Sequence, residues 1–206
     1  MERIITEKAL LEKLIMDRGG IVKTADLENA GFGYRKLQKL LEEGFLKKLK
    51  NGYYTLYKDV KSDDERVRIL FPDGILTMTS ALYVYGFIDE KPDHYSIAID
   101  KNVSRSRFKI EDPKVVPYYV EKSALDFGVT KAEFGGGEMN IYTPERLLCE
   151  ILKYESKLDK QIVDKAVDKF VDKYRSQSKI DMLMLMESAV RRQVKVKIQT
   201  RLGDRL

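Results

Sequence analysis

The 206-residue chain holds one cysteine, Cys149, one histidine, His94, and no tryptophan. A single thiol excludes a disulfide within the chain, and one Cys with one His excludes a zinc cluster built from such ligands. No run approaches the roughly 18–20 consecutive apolar residues of a membrane span. The opening stretch, MERIITEKAL, is charged and has no apolar signal core. No internal repeat and no low-complexity tract is visible. These absences predict a cytoplasmic protein with no membrane association, no metal and no cofactor.

What remains is a charged but core-forming composition. Hydrophobic residues make up 43% and charged residues 34%, with a formal net charge of +5. The sign is unevenly spread. Residues 1–60 carry 12 Lys/Arg against 9 Asp/Glu, residues 61–150 carry 12 against 16, and residues 151–206 carry 14 against 8. A basic head, an acidic middle and a basic tail imply at least two functional surfaces, and the net charge favours an anionic partner.

The head reads as a chain of short elements. Thr6 can cap a helix carrying Leu10, Leu11, Leu14 and Ile15 on one side. Gly19-Gly20 ends it, and Ile21-Val22 suits a short strand. Thr24 caps a brief second helix, with Asp26 in its first turn and Leu27 and Ala30 inward. Gly31 stops it, and a third helix runs from Tyr34 to Glu43 before Gly44. Asn51-Gly52 between two β-prone runs is a strong hairpin signal, because both residues tolerate positive φ. Helix, short helix, turn, helix and hairpin together describe a winged helix-turn-helix over about residues 4–58.

Polar KDVKSDDER (58–66) reads as a linker. Beyond it, Thr77 or Thr79 can open a helix through SALYVYGF, while HYSIAID (94–100) and KVVPYYVE (114–121) read as strands. GVTKAEF and EMNIYT flank Gly135-Gly136-Gly137 as a second hairpin. Thr143-Pro144-Glu145 is a helix start that buries Leu147, Leu148, Ile151 and Leu152. Leu158, Ile162, Ala166, Phe170 and Tyr174 recur at steps of four. So do Met182, Met186, Val190, Val194, Ile198 and Leu202, which favours helix over the strand-like alternation of VKVKIQ. The predicted fold class is α+β: a winged helix-turn-helix at 1–58, a linker at 59–66, and a mixed α/β domain at 67–206 ending in a helical segment.

On a wheel, Leu37, Leu40 and Leu41 share the face of the third helix that packs inward. The opposite face centres on Arg35, Lys39 and Glu42, flanked by Lys36, Gln38 and Glu43. Its basic and amide groups lie toward the N-terminal half, the part of such a helix that meets base edges. Arg and Lys suit guanine, and Gln suits adenine. Lys47, Lys48, Lys50 and Asn51 surround the hairpin tip and suit phosphates. The candidate DNA-binding set is Tyr34, Arg35, Lys36, Gln38, Lys39, Lys47, Lys48, Lys50 and Asn51. Tyr53 and Tyr54 alternate between core and solvent.

Other motifs carry less. Phe134-Gly-Gly-Gly-Glu138 lacks the Lys-Ser/Thr ending of a phosphate loop and opens a strand. His94 has no nucleophile motif beside it, and Cys149 sits on an amphipathic helix with Leu148. Pro72-Asp73 with Asp89-Glu90-Lys91 loosely matches a metal-dependent nuclease pattern, whose acids and lysine must gather around a divalent ion. The acidic middle also allows a protein–protein adaptor that uses the winged helix as a scaffold. In the tail, Arg191, Arg192, Lys195 and Lys197 form either the solvated side of a docked helix or a second nucleic-acid or partner surface.

Three stretches in order resemble one family. GGIVKTADLENAGFGYRKLQKLLEEGFLKKLKNGYYTL (19–56), TSALYVYGF (79–87) and NIYTPERLLCEILKY (140–154) are similar to AbiEi-type antitoxins, bacterial phage-defence regulators of type IV toxin–antitoxin systems. The resemblance implies a DNA-binding repressor, without enzymatic activity, acting as two copies on an inverted-repeat operator of its own operon. It also implies an antitoxin role for the C-terminal domain against a nucleotidyltransferase-like toxin, without a stable complex.

Overall fold

The computed structural model describes residues 2–58, 61–110, 112–175, 181–203 and 205; the side chains of residues 2–6, 174 and 175 lie outside the description. The chain is mixed α+β with two sheets and a helical C-terminal segment. It divides into two compact units, residues 1–63 with 104–112, and residues 64–103 with 113–206.

The first unit begins with α1 (Glu2–Asp17), β1 (Ile21–Lys23), α2 (Thr24–Asn29), α3 (Tyr34–Glu42), β2 (Leu46–Lys50) and β3 (Tyr53–Leu56). Its sheet is antiparallel in the order β1-β3-β2. Leu11, Ile15, Val22, Leu27, Phe32, Leu37, Leu40, Leu46, Tyr54 and Leu56 form the core. Helix spacing gives one apolar stripe on α3, with Leu37 and Leu40 buried and Leu41 against their edge. The β2–β3 hairpin forms as the sequence predicts, with Tyr54 inward and Tyr53 half-buried.

Several details differ from expectation. α1 already begins at Glu2, so Thr6 is not at its start, and the Thr6 side chain lies outside the description. Leu10 is 56% exposed, because Leu11 and Ile15 take the inward stripe. Lys23, not Thr24, occupies the cap position of α2; its backbone N–H donates to Asp26 Oδ2 at 3.4 Å. Ala30 is exposed at the helix end. In the hairpin turn only Gly52 takes positive φ, at 79°, and an irregularity between Lys48 and Lys50 accommodates the register.

The second unit contains α4 (Asp63–Leu70) from its second residue onward, β4 (Ile75–Leu76), α5 (Met78–Val84), β5 (Tyr95–Asp100), β6 (Val115–Val120), α6 (Lys122–Leu125), β7 (Val129–Glu133) and β8 (Glu138–Tyr142). α7 (Pro144–Lys153), α8 (Lys160–Arg175), α9 (Met182–Arg192) and α10 (Lys195–Leu202) follow. α4 thus starts inside the polar stretch read as linker. The five-stranded sheet runs β6-β5-β4-β8-β7, with β5–β6 and β4–β8 parallel. Thr143 caps α7 through a bond from the Arg146 N–H at 3.4 Å, and Pro144 fills the first helical position, as predicted.

α7 is buried along most of its length, against α8 and α9. On α8 the buried residues are Val163, Ala166, Val167, Phe170 and Val171; Leu158 and Ile162 are half-buried, and the Tyr174 side chain lies outside the description. The C-terminal row is helical but broken at Gln193, which takes φ 60°. The break turns the row: Met182 and Val190 are exposed, whereas Val194, Ile198 and Leu202 are buried.

Candidate nucleic-acid interface

The apolar stripe of α3 fixes which side chains face out. Tyr34 is 73% exposed, and Arg35, Lys36 and Lys39 are exposed beside a half-buried Gln38. These cations differ in what they can still bind. Lys36 Nζ donates to Glu7 Oε1 of α1 at 3.1 Å and lies over the Phe32 ring. Lys39 Nζ is 3.8 Å from Glu43, a carboxylate that Lys8 of α1 approaches to 2.8 Å. The hydrogen bond from Lys8 holds the Glu43 carboxyl below its ordinary pKa. Glu43 is therefore turned toward α1, whereas Glu42 stays on the open face. Arg35 has no ion pair or hydrogen bond among the described residues.

The hairpin presents a second group. Lys47, Lys48 and Asn51 are exposed, and neither lysine is ion-paired among the described residues. Lys50 departs from expectation. It is only 5% exposed, and its ammonium lies 4.5 Å from the Tyr53 ring centre. The irregular register turns it inward, so it belongs to the fabric of the hairpin and not to its outer edge. Lys23 approaches the same ring at 5.9 Å because β1 pairs it with Tyr53. No local pattern flags Lys23; it reaches the hairpin only through the third strand.

Lys47, Lys48, Lys50 and Asn51 line a depression of about 480 Å³ whose remaining walls include Lys109 and Asp112. Those two belong to the segment 104–112 that packs into the first unit. Sequence reading misses Lys109, which is about sixty residues away along the chain.

The tail behaves differently. Arg192 is 6% exposed, and its Nη2 donates to Glu150 Oε2 at 2.8 Å. Arg191 is paired with Glu187 one turn earlier, and Lys197 with Glu155 at 2.6 Å. Arg201 and Arg205 are likewise held by Asp164 and Asp168. Of the four tail candidates only Lys195 is exposed and without a partner among the described residues. Carboxylates thus hold three of the four, Glu187 from the same helix and Glu150 and Glu155 from far earlier in the chain.

The nuclease pattern is also not gathered. Asp89 is bonded to Lys165 and, at 2.7 Å, to Lys169, while Lys91 reaches Asp64 at 2.7 Å. Asp73 lines a different depression, with Asp100 and Asn140. Among the described residues no group of three or more His, Cys, Asp or Glu could hold a metal. His94 Nδ1 is 2.6 Å from Asp93 Oδ1, its neighbour. Among the described residues no helix is long and apolar enough to cross a membrane.

No family model and no curated protein matches the chain. The fold is similar to the crystal structure of the RV2827C protein from Mycobacterium tuberculosis, with a TM-score of 0.60 over 88% of this chain and 70% of that one, at 16% identity. At that identity the likeness establishes the fold and nothing of the activity.

Proposed function

We propose that the protein is a DNA-binding transcriptional regulator whose first unit is a winged helix-turn-helix. In this reading α2 and α3 are the helix-turn-helix, and the β2–β3 hairpin is the wing. Arg35, with Lys39, Gln38 and Tyr34 beside it, reads or approaches base edges; Lys47, Lys48 and Asn51 hold phosphates. One observation carries the reading. The cations of α3 and the hairpin include Arg35, Lys47 and Lys48, exposed and without an ion-pair partner among the described residues, whereas Arg191, Arg192 and Lys197 in the tail are neutralised within the chain. An anionic ligand therefore finds three open cations on α3 and the hairpin, and one, Lys195, among the four tail candidates.

The resemblance to AbiEi-type antitoxins takes the proposal one step further. The protein represses its own operon as two copies on an inverted repeat, and it counters a nucleotidyltransferase-like toxin without forming a stable complex. The test is binding of the full chain to the DNA upstream of its own gene across a salt series. Affinity should fall steeply with salt, by roughly 0.9 in log–log slope per phosphate engaged. An affinity independent of salt, or absent, refutes the reading. Rescue of growth on co-expression with a neighbouring toxin gene tests the antitoxin half separately.

A further inference from the structure

Parallel neighbours in a sheet cannot be joined by a tight turn, and the crossover is ordinarily a helix lying on the sheet. β5 and β6 are such a pair. The chain between them does something else. Residues 104–112 leave the second unit and pack into the first. The excursion contains a short 3-10 turn at Arg105–Phe108, entered through Ser104, whose Oγ accepts from the Ser106 N–H at 3.4 Å. It brings Arg105, Arg107 and Lys109 along.

Lys109 is the informative one. It is exposed, has no ion pair among the described residues, and lines the same depression as Lys47, Lys48, Lys50 and Asn51. The wall residues thus include three exposed lysines, Lys47, Lys48 and Lys109, against one acid, Asp112, while Lys50 beside them is turned inward. A concave surface of that charge, with the amide of Asn51 as a further donor, fits the oxygens of a nucleic-acid backbone better than any neutral ligand.

We propose that the 104–112 excursion is part of the DNA-binding surface, with Lys109 contacting a backbone phosphate next to the one held by Lys47 and Lys48. The inference rests on the DNA-binding reading given above. It adds that the interface is discontinuous in sequence: residues 1–58 alone lack one of its cations. The contact is to phosphate, so it contributes to affinity on any duplex and carries no base preference.

The experiment measures affinity of the full chain for a short mixed-sequence duplex between about 50 and 200 mM salt. It compares the wild type, Lys47→Ala/Lys48→Ala, Lys109→Ala and Lys160→Ala, an exposed lysine of α8. Thermal unfolding of each variant is recorded alongside. Lys109→Ala should reduce the slope by about 0.9 and weaken binding about three- to tenfold, with unfolding unchanged. Lys160→Ala should match the wild type. If Lys47→Ala/Lys48→Ala lowers the slope and Lys109→Ala behaves as Lys160→Ala does, the excursion is not in the interface and the DNA-binding reading stands. If the wild type does not bind, or Lys47→Ala/Lys48→Ala leaves the slope intact, both inferences fall. Charge reversal by Lys109→Glu is the second variant: it should weaken binding further than Lys109→Ala, and equal affinity for the two overturns the contact.

Discussion

Arg192 of α9 and Glu150 of α7 meet inside the second unit, Nη2 to Oε2 at 2.8 Å, with 7% and 3% of their side chains exposed. Arg146, fully buried one turn before Glu150, also reaches that carboxylate, at 2.6 Å. One acid thus serves two guanidinium groups. Arg146 also donates to the Ala124 carbonyl at 3.0 Å, which offsets part of its desolvation. Glu150→Gln leaves both cations buried and uncompensated. It should destabilise the second unit by about 3–5 kcal/mol. Urea unfolding of wild type and variant, followed by a probe in that unit, measures it; a loss below about 1 kcal/mol refutes the shared-carboxylate account.

Gly135 and Gly136 separate two reasons for glycine in the β7–β8 turn. Both take positive φ, 57° and 70°. A Cβ at Gly136 meets nothing within 4 Å, whereas one at Gly135 would lie 2.5 Å from the backbone of Asp64 and Glu65. Gly136→Ala should therefore cost only the left-handed backbone, about 1–2 kcal/mol. Gly135→Ala adds a collision with α4 backbone, which cannot rotate away as a side chain can. It should cost about 1–3 kcal/mol more. Equal melting temperatures for the two variants would show that α4 does not press on this turn.

The thiol of Cys149 is fully buried and lies 3.9 Å from the Leu185 carbonyl oxygen of α9. Burial pushes its pKa up to about 12. The thiolate is the reactive form, so the folded protein should resist a thiol reagent near neutral pH and react fully in denaturant. Rapid modification of the native chain contradicts this packing.

What the sequence showed locally, the structure keeps. The α3 stripe, the Asn51-Gly52 hairpin and the Thr143-Pro144 start of α7 each rest on neighbours within a few residues. What depends on distant partners was not legible. A Lys50 inside a lysine-rich strand reads as exposed, and only the Lys48/Lys50 irregularity and the Tyr53 ring turn it inward. Arg192 reads as a surface cation because Glu150, its partner, is forty-two residues earlier. The break at Gln193 has no glycine to announce it, so the row of four-steps looks continuous when it is not. For the candidate site, periodicity identified Arg35, Lys47 and Lys48, but Lys23 and Lys109 arrive through strand pairing and an excursion.

Asp89 gives a pH dependence with a definite sign. Hydrogen bonds from Lys165 and Lys169 of α8 lower its pKa from 3.8 to about 2. The folded value lies below the unfolded one, so this contribution is complete above about pH 4 and disappears as pH falls toward 2. The pair is exposed, so salt should weaken it. Asp89→Asn should melt below the wild type at neutral pH, and the gap should close between about pH 4 and pH 2. A gap that widens in acid would exclude these lysines as the cause.

On the proposed DNA-binding function, Lys50 and its neighbours separate folding from binding on one strand. Lys50 is buried against Tyr53, whereas Lys47 and Lys48 point to solvent. Lys50→Ala removes packing around the Tyr53 ring and should lower stability by about 1–2 kcal/mol. Because its ammonium is not on the outer edge, the salt slope of DNA binding should stay near the wild-type value. Lys47→Ala/Lys48→Ala should do the opposite, lowering the slope by up to about 1.8 with little change in melting. On α3, Arg35→Ala should reduce affinity more than Lys36→Ala, since Lys36 must first give up Glu7 of α1 at 3.1 Å. If Lys50→Ala and Lys47→Ala/Lys48→Ala changed slope and stability in the same proportion, the division of this strand into an inner and an outer lysine would be wrong.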